Sequence, residues 1–186
     1  SAMILGGKAL GREGLKTAAR IKAVVGCDLF CATFPARVER GAGLPSVTRI
    51  PYFPENASAT FSPYRTVVLV GTREPVTFFG YEGTSSYVLS EHHHKITIGD
   101  GDKDEIEVLE LLANSLEGKG LSGRTRPELF TAELKRPDFP KGALTADKAC
   151  AVLAAMQPEE SSGRERTGGR TVPSGASVRV ASGFYE

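Results

Sequence analysis

Two periods of apolar residues alternate along this chain. Short unbroken apolar runs, of the kind that form strands buried on both faces, are separated by stretches whose apolar residues recur every three or four positions. Met3-Ile4-Leu5, followed by Gly6-Gly7, reads as a first strand. From Gly11 to Val25, Leu15, Ala18, Ile21 and Val25 share a helical stripe with Arg12, Lys16, Arg20 and Lys22 outside it, and Gly26 stands where a left-handed cap ends a helix. Asp28 to Thr33 reads as a second short strand. The region from Phe34 to Pro63 is punctuated by five prolines and reads as a long loop with a short helix over Glu55 to Phe61. Thr66-Val67-Val68-Leu69-Val70-Gly71 is the clearest strand, and its β-branched run predicts a central parallel position.

Lys95-Ile96-Thr97-Ile98 is the next strand, followed by Gly99-Asp100-Gly101 and a helix with Ile106, Leu109, Leu112, Ala113 and Leu116 on one stripe. Asp102, Asp104 and Glu105 cluster at its first turn, where the helix dipole favours negative charge. Gly118 and Gly120 end it. Strands alternating with helices predict an α/β, Rossmann-like, doubly wound and mostly parallel sheet of about six strands with helices on both faces. The predicted domain covers residues 1–118, residues 119–142 form a Pro-containing linker, and residues 143–186 begin a further unit. Within that unit Thr145 to Met156 reads as a helix capped by Thr145. The remaining stretch is rich in Gly, Ser and charge, with too few bulky apolar residues to offset its ordering entropy, and is expected to stay unstructured.

Composition narrows the function classes. With 186 residues, 40% of them hydrophobic, the chain can build one ordinary core, and a net charge of +1 argues against a nucleic-acid binder or a polybasic membrane surface. No apolar run approaches the roughly 18 residues of a membrane helix. Ser1-Ala2-Met3 lacks the regions of a signal peptide and reads as a cleavage scar before a start methionine. In one strand, Cys27 and Cys31 would stand about 13 Å apart, beyond the roughly 7 Å limit for a disulfide. With Cys150 they read as unpaired thiols of a reducing, cytoplasmic protein.

Candidate chemistry is sparse. A strand ending in Gly-Asp-Gly can open a magnesium–diphosphate site, but a metal shared with a diphosphate needs further oxygen ligands. The one later asparagine, Asn114, lies within the following helix, so Asp100 reads as a turn or helix-entry residue. His92-His93-His94 cannot all face one ion with good geometry and reads as a solvated loop. In a doubly wound sheet, ligands lie beyond the carboxyl ends of the strands. The candidate cofactor-binding positions are therefore Gly6, Gly7, Thr33, Gly71 and Thr72, a nucleotide site or flavin remnant that lacks the full G-x-G-x-x-G fingerprint. No G-x-S-x-G elbow occurs, and histidine is confined to one tripeptide, which leaves no evident catalyst.

The order ILGGKAL, GLKTAARIKAVVG, DLFCATFPARVERGAGLP, PYFPE and TVVLVGTREPVTFFGY resembles the central domain of acetolactate-synthase-like thiamine diphosphate enzymes, from about Ile4 to Leu116. GALTADKACAVLAAMQPE is similar to the entry to their third, cofactor-binding domain. The resemblance implies a three-domain, homo-oligomeric parent that decarboxylates a 2-keto acid such as pyruvate and protonates or ligates the resulting carbanion. Thiamine diphosphate and magnesium would be held by its other domains, which are this domain's partners, and not by this chain alone. Three departures accompany the match. The first domain and nearly all of the third have no counterpart here. Gly71-Thr72-Arg73-Glu74-Pro75-Val76-Thr77 stands where flavin-holding members carry a G-x-R-x-x-D-R-like stretch, which argues against FAD. Glu160-Ser161-Ser162-Gly163-Arg164 replaces an apolar strand, as expected of a truncation or frame shift near residue 159. An intact cofactor domain read in the same frame downstream would refute that expectation.

Overall fold

A computed structural model of the chain describes residues 1–80, 82–99, 104–118, 131–133 and 136–156. Its elements are β1 (Ala2–Leu5), α1 (Arg12–Val25), β2 (Asp28–Cys31), β3 (Thr48–Arg49), α2 (Pro54–Phe61), β4 (Thr66–Val70), β5 (His94–Ile98), α3 (Glu105–Leu116) and α4 (Ala146–Met156). A tight helical turn, Gly7–Leu10, joins β1 to α1. The strands form one sheet in the order β3-β2-β1-β4-β5, and all four pairings are parallel. The fold is α/β and Rossmann-like, with five strands among the described residues where the sequence suggested about six.

Strand alternation sends neighbouring residues to opposite faces, and β1 shows the result. Met3 and Leu5 join Leu15, Ile21, Leu109 and Ala113 in the core beneath α1 and α3. Ala2 and Ile4 join Phe30, Phe61, Leu69 and Val88 in a second core beneath α2. The central position expected for the Val-rich strand is observed: β4 lies between β1 and β5, with Val67, Leu69 and Val70 buried. Ala2, read from sequence as part of a scar, is buried in β1 and aligned with Asp28 of β2, and Met3, read as the start of the strand, is aligned with Leu29.

The helix boundaries follow local chemistry. Gly26 caps α1 at φ 67°, and its N–H donates to the Lys22 carbonyl. Pro54 opens α2, where its missing N–H costs nothing. Asp104 caps α3 by accepting the Ile106 N–H at 3.0 Å. Arg20 then ties α1 to α3, its Nε and one terminal nitrogen donating to both Glu117 oxygens at 2.9 and 2.7 Å.

Several expectations change. Strand β2 ends at Cys31, two residues early, because the chain turns and Thr33 donates its hydroxyl to the Ile50 carbonyl at 2.8 Å. Strand β3 lies within the stretch read as loop; two residues between prolines carry no detectable period, and their pairing with Phe30 and Cys31 supplies the structure. His94 belongs to β5. Thr131 and Ala132, inside the span read as linker, pair with Pro45 and Ala42. Helix α4 forms where expected, with the Thr145 hydroxyl accepting the Lys148 N–H, yet none of its residues is fully buried. Asp100, Gly101 and Asp102, most of residues 119–142, and the tail from residue 157 lie outside the described residues.

Candidate functional site

The order β3-β2-β1-β4-β5 reverses direction between β1 and β4, and the crevice beyond the carboxyl ends of such a pair is where doubly wound sheets bind ligands. Four of the five sequence candidates meet there. The Gly6 N–H donates to the Val70 carbonyl at 2.8 Å, which carries the β1–β4 ladder past the strand ends. A Cβ at Gly6 would stand 2.6 Å from Thr72 Cβ and 2.7 Å from the Gly71 carbonyl oxygen, so only glycine permits this approach. Sequence reasoning brought Gly6, Gly7, Gly71 and Thr72 to one place, and the structure puts them in contact.

On its α3 side that crevice holds one of the protein's own carboxylates. Glu105, the first residue of α3, accepts the Lys8 N–H at 3.0 Å, and its side chain lies beside Gly7 and Gly71, 3.0 to 3.2 Å from where their Cβ atoms would be. The Lys8 ammonium donates to Asp104 at 3.1 Å. That bond and the nearby charge raise the lysine pKa, and the Ile106 amide, then Lys8, lowers that of Asp104. A second helical start is also taken. Glu39 accepts the Arg12 N–H at the first turn of α1 at 2.9 Å, while its other oxygen accepts from Arg37 at 2.9 Å. Helix N-termini attract anions, and here two glutamates already occupy that role. Neither was apparent in the sequence, because each reaches its partner across 27 or 97 residues.

The fifth candidate, Thr33, joins only Thr72 of this group. With Thr72 it lines a cleft of about 270 Å³ on the α2 side of the sheet, walled by Ile4, Ile50, Pro51, Tyr52, Pro75 and Phe78. Around its mouth the rings of Phe34, Tyr52, Phe53, Phe78 and Phe79 form a connected set with centroids 4.9 to 6.3 Å apart. The hairpin-like segment carrying Phe78 and Phe79 is fastened by Thr77 N–H to the Ser86 carbonyl at 2.8 Å, Val88 N–H to the Pro75 carbonyl at 3.1 Å, and buried Val88 and Leu89. This aromatic surface is the feature that a one-dimensional reading passed over. The signal was present as TFFGY and PYFP, but only folding joins them.

The remaining candidates resolve individually. The imidazole of His93 is taken up by the protein itself, with Nδ1 on the Ser90 N–H at 3.0 Å and Nε2 on the Phe61 carbonyl at 3.1 Å, while His94 enters β5. Cys27, Cys31 and Cys150 are free thiols, the first two buried and the third half-buried, and burial pushes the Cys27 thiol pKa up. Asn114 Oδ1 accepts from Arg20 at 2.7 Å, which takes that amide oxygen away from any metal. Among the described residues no cluster of three His, Cys, Asp or Glu could hold an ion. Asp100, the residue of the Gly-Asp-Gly turn, lies outside the described residues. No described helix is long and apolar enough to cross a membrane.

No protein-family model matches the chain. Over 159 residues it is 37% identical to a protein of Mycobacterium tuberculosis (strain ATCC 25618 / H37Rv) described as "Putative acetolactate synthase large subunit IlvX", a match covering 84% of this chain and 29% of that protein. The fold is similar to the Rhodococcus jostii RHA1 thiamine diphosphate-dependent 4-hydroxybenzoylformate decarboxylase, with a TM-score of 0.58 at 17% identity, covering 86% of this chain and 32% of the other. It is similar as well to a structure from Mycobacterium smegmatis described as "a putative thiamin diphosphate-dependent enzyme", with a TM-score of 0.57 at 19% identity over 86% and 33% of the two chains. The chain thus spans less than a third of the curated relative's length. By sequence this chain is similar to a stretch of an acetolactate-synthase-like protein, and its fold is that of a domain found in thiamine diphosphate-dependent enzymes.

Proposed function

We propose that the chain is the central scaffold domain of an acetolactate-synthase-like enzyme that decarboxylates and ligates 2-keto acids such as pyruvate, and that it is inactive in isolation. In the full-length enzyme, a transferase or lyase of the cytoplasm, thiamine diphosphate and magnesium would be held between the other domains. This domain would brace them within a homo-oligomer. The observation that carries the reading is the carboxylate held at the switch point. On the α3 side of the sheet, the crevice where a Rossmann-like fold would take a ligand holds Glu105, and Glu39 occupies the neighbouring helix start. A carboxylate held there repels the phosphates of a nucleotide. The domain then keeps the architecture of a ligand-binding sheet and uses it for support.

The test is calorimetric titration of the chain with ADP, NAD, FAD and magnesium–thiamine diphosphate, alongside a carboligation assay with pyruvate. The expected result is no saturable heat and no acetolactate. Turnover of pyruvate by this chain overturns the proposal. A second reading, a stand-alone nucleotide-binding module, is favoured by one feature: the cleft that Thr33 and Thr72 line at the carboxyl edge of the sheet. Saturable binding of ADP, NAD or FAD that Thr33→Val weakens would establish it in place of the scaffold.

A further inference from the structure

The cleft on the α2 side of the sheet combines an apolar lining with one unanswered charge. Ile4, Ile50, Ala57 and Val88 line it, and all four are buried. Phe34 and Phe78 line it as well, packed edge to face with centroids 5.5 Å apart, yet they stay 60% and 63% exposed. The threonines and the glutamate of the lining are engaged by the protein itself. Thr33 and Thr77 donate their hydroxyls to the Ile50 and Phe79 carbonyls at 2.8 and 2.9 Å. Thr72 donates to the Arg73 carbonyl at 3.3 Å, and Glu74 accepts from the Lys95 ammonium at 2.5 Å. Arg73 lines the same cleft, and among the described residues its guanidinium has no partner. With Glu74 and Lys95 offsetting each other, the cleft carries one uncompensated positive charge.

We propose that this cleft binds a small carboxylate bearing a single aromatic ring, with the ring against Phe34, Tyr52 and Phe78 and the carboxylate on Arg73. Three observations select that class. The first is size. A dry cavity of about 150 Å³ takes benzene, so a cleft of about 270 Å³ has room for one ring and a carboxyl group. Pockets for larger ligands run to roughly 300–1,000 Å³, and the several parts of a nucleotide exceed what this cleft contains. The second is the character of the walls. Rings that pack edge-on and remain open gain from one more ring in the same arrangement, beyond the area buried. The third is charge. The planar fork of a guanidinium matches the two oxygens of a carboxylate. One negative charge balances the cleft, whereas a diphosphate would set excess charge beside Glu74.

The proposal goes beyond the scaffold reading and is tested apart from it, since a chain that neither binds nucleotides nor turns over pyruvate still has this cleft. Benzoate is titrated into the isotope-labelled full chain and followed by amide NMR. The expected result is saturable shifts at Thr33, Tyr52, Arg73 and Phe78, with half-saturation below about 1 mM. Arg73→Gln should weaken benzoate about tenfold while leaving the uncharged benzamide unchanged. Arg73 is exposed, so the variant keeps its thermal unfolding midpoint, which a parallel melt verifies. Phe78→Leu should weaken both ligands, and acetate, which lacks the ring, should not displace benzoate. Shifts that fail to saturate, or that saturate away from the cleft, overturn the proposal. So does benzoate binding that Arg73→Gln leaves intact, or displacement by acetate, because either would remove one of the two recognition elements.

Discussion

Helix α2 has an aromatic cluster at each end, and the two have opposite fates. At its last residue, Phe61 packs on Phe30 and Tyr64 with centroids 5.0 and 6.2 Å away, and Phe30 and Phe61 are buried. At its entry, Phe53 joins Tyr52, Phe34, Phe78 and Phe79 in a cluster that stays largely in solvent. The ring geometry is alike in both: tilted or edge-on pairs about 5 to 6 Å apart. What differs is the lid. The first cluster is roofed by the sheet face of Ile4, Val67 and Leu69, whereas the second projects past the strand ends, where no described element covers it. One cluster serves the fold, and the other is free to serve a partner.

Truncating a ring in each cluster separates those roles most sharply. Phe61→Ala removes a fully buried side chain and should cost about 3–5 kcal/mol. Phe78→Ala, at an exposed position, should change stability by less than about 0.5 kcal/mol. Urea denaturation of both variants with matched slopes measures the gap. Equal losses would erase the distinction, because they would mean the exposed cluster also holds the fold.

A smaller effect probes the crevice beside the open cluster. Gly6→Ala places a methyl against the Gly71 carbonyl and Thr72, and the β1–β4 junction must shift to admit it. Overpacking of this kind typically costs about 1–3 kcal/mol. Because Thr72 also lines the aromatic cleft, the same substitution should alter the cleft's shape, and its circular dichroism in the aromatic region should change while the far-ultraviolet signal stays helical. Glu105→Gln is the milder companion. It keeps an acceptor for the Lys8 N–H but removes the charge, and a loss of about 0.5–1 kcal/mol in the same urea assay is expected.

The contrast also explains what a linear reading could reach. Helix α1 was legible from Leu15, Ala18 and Ile21 at helical spacing with Gly26 as the stop, and β4 from its Val-rich run, because each signal lies within one element. Gly6 and Gly71 could be named as strand-end glycines, since turns after strands carry local chemistry. The presence of Glu105 beside them could not, because the carboxylate arrives from a helix some hundred positions later. Strand β3 was invisible for a related reason: two residues hold no period, and their structure comes from Phe30 and Cys31. Of the exposed cluster, Phe34, Tyr52 and Phe79 stand in three separate loops, and loops have no periodicity to predict which face they share.

The subtlest difference between the two ends of α2 is a polar one. Behind the buried cluster, Tyr64 donates its hydroxyl to Asp28 at 2.8 Å, and Lys22 donates to the other Asp28 oxygen at 3.2 Å. Burial, reinforced by that bond and the aspartate charge, pushes the tyrosine pKa from 10.0 up to about 12. The Tyr64 bond, then Lys22, holds the Asp28 pKa below its ordinary value, against the opposing effect of burial. A phenol whose pKa rises on folding stabilises the native state fully below its unfolded value. That contribution should hold up to pH 10 and fade as pH climbs toward 12. Asp28 acts with the opposite sign: its share is present above its ordinary pKa and disappears as acid protonates it in the folded state. Tyr64→Phe keeps the ring against Phe30 and Phe61 but removes the donor, so at pH 7 it should lose about 1 kcal/mol. Between pH 10 and 12 the wild type should lose stability faster than the variant, and their thermal midpoints should converge. Melting curves at half-unit intervals from pH 7 to 12 measure this directly. Parallel curves would mean that Tyr64 contributes only its ring, and that packing alone holds the tyrosine in the buried cluster.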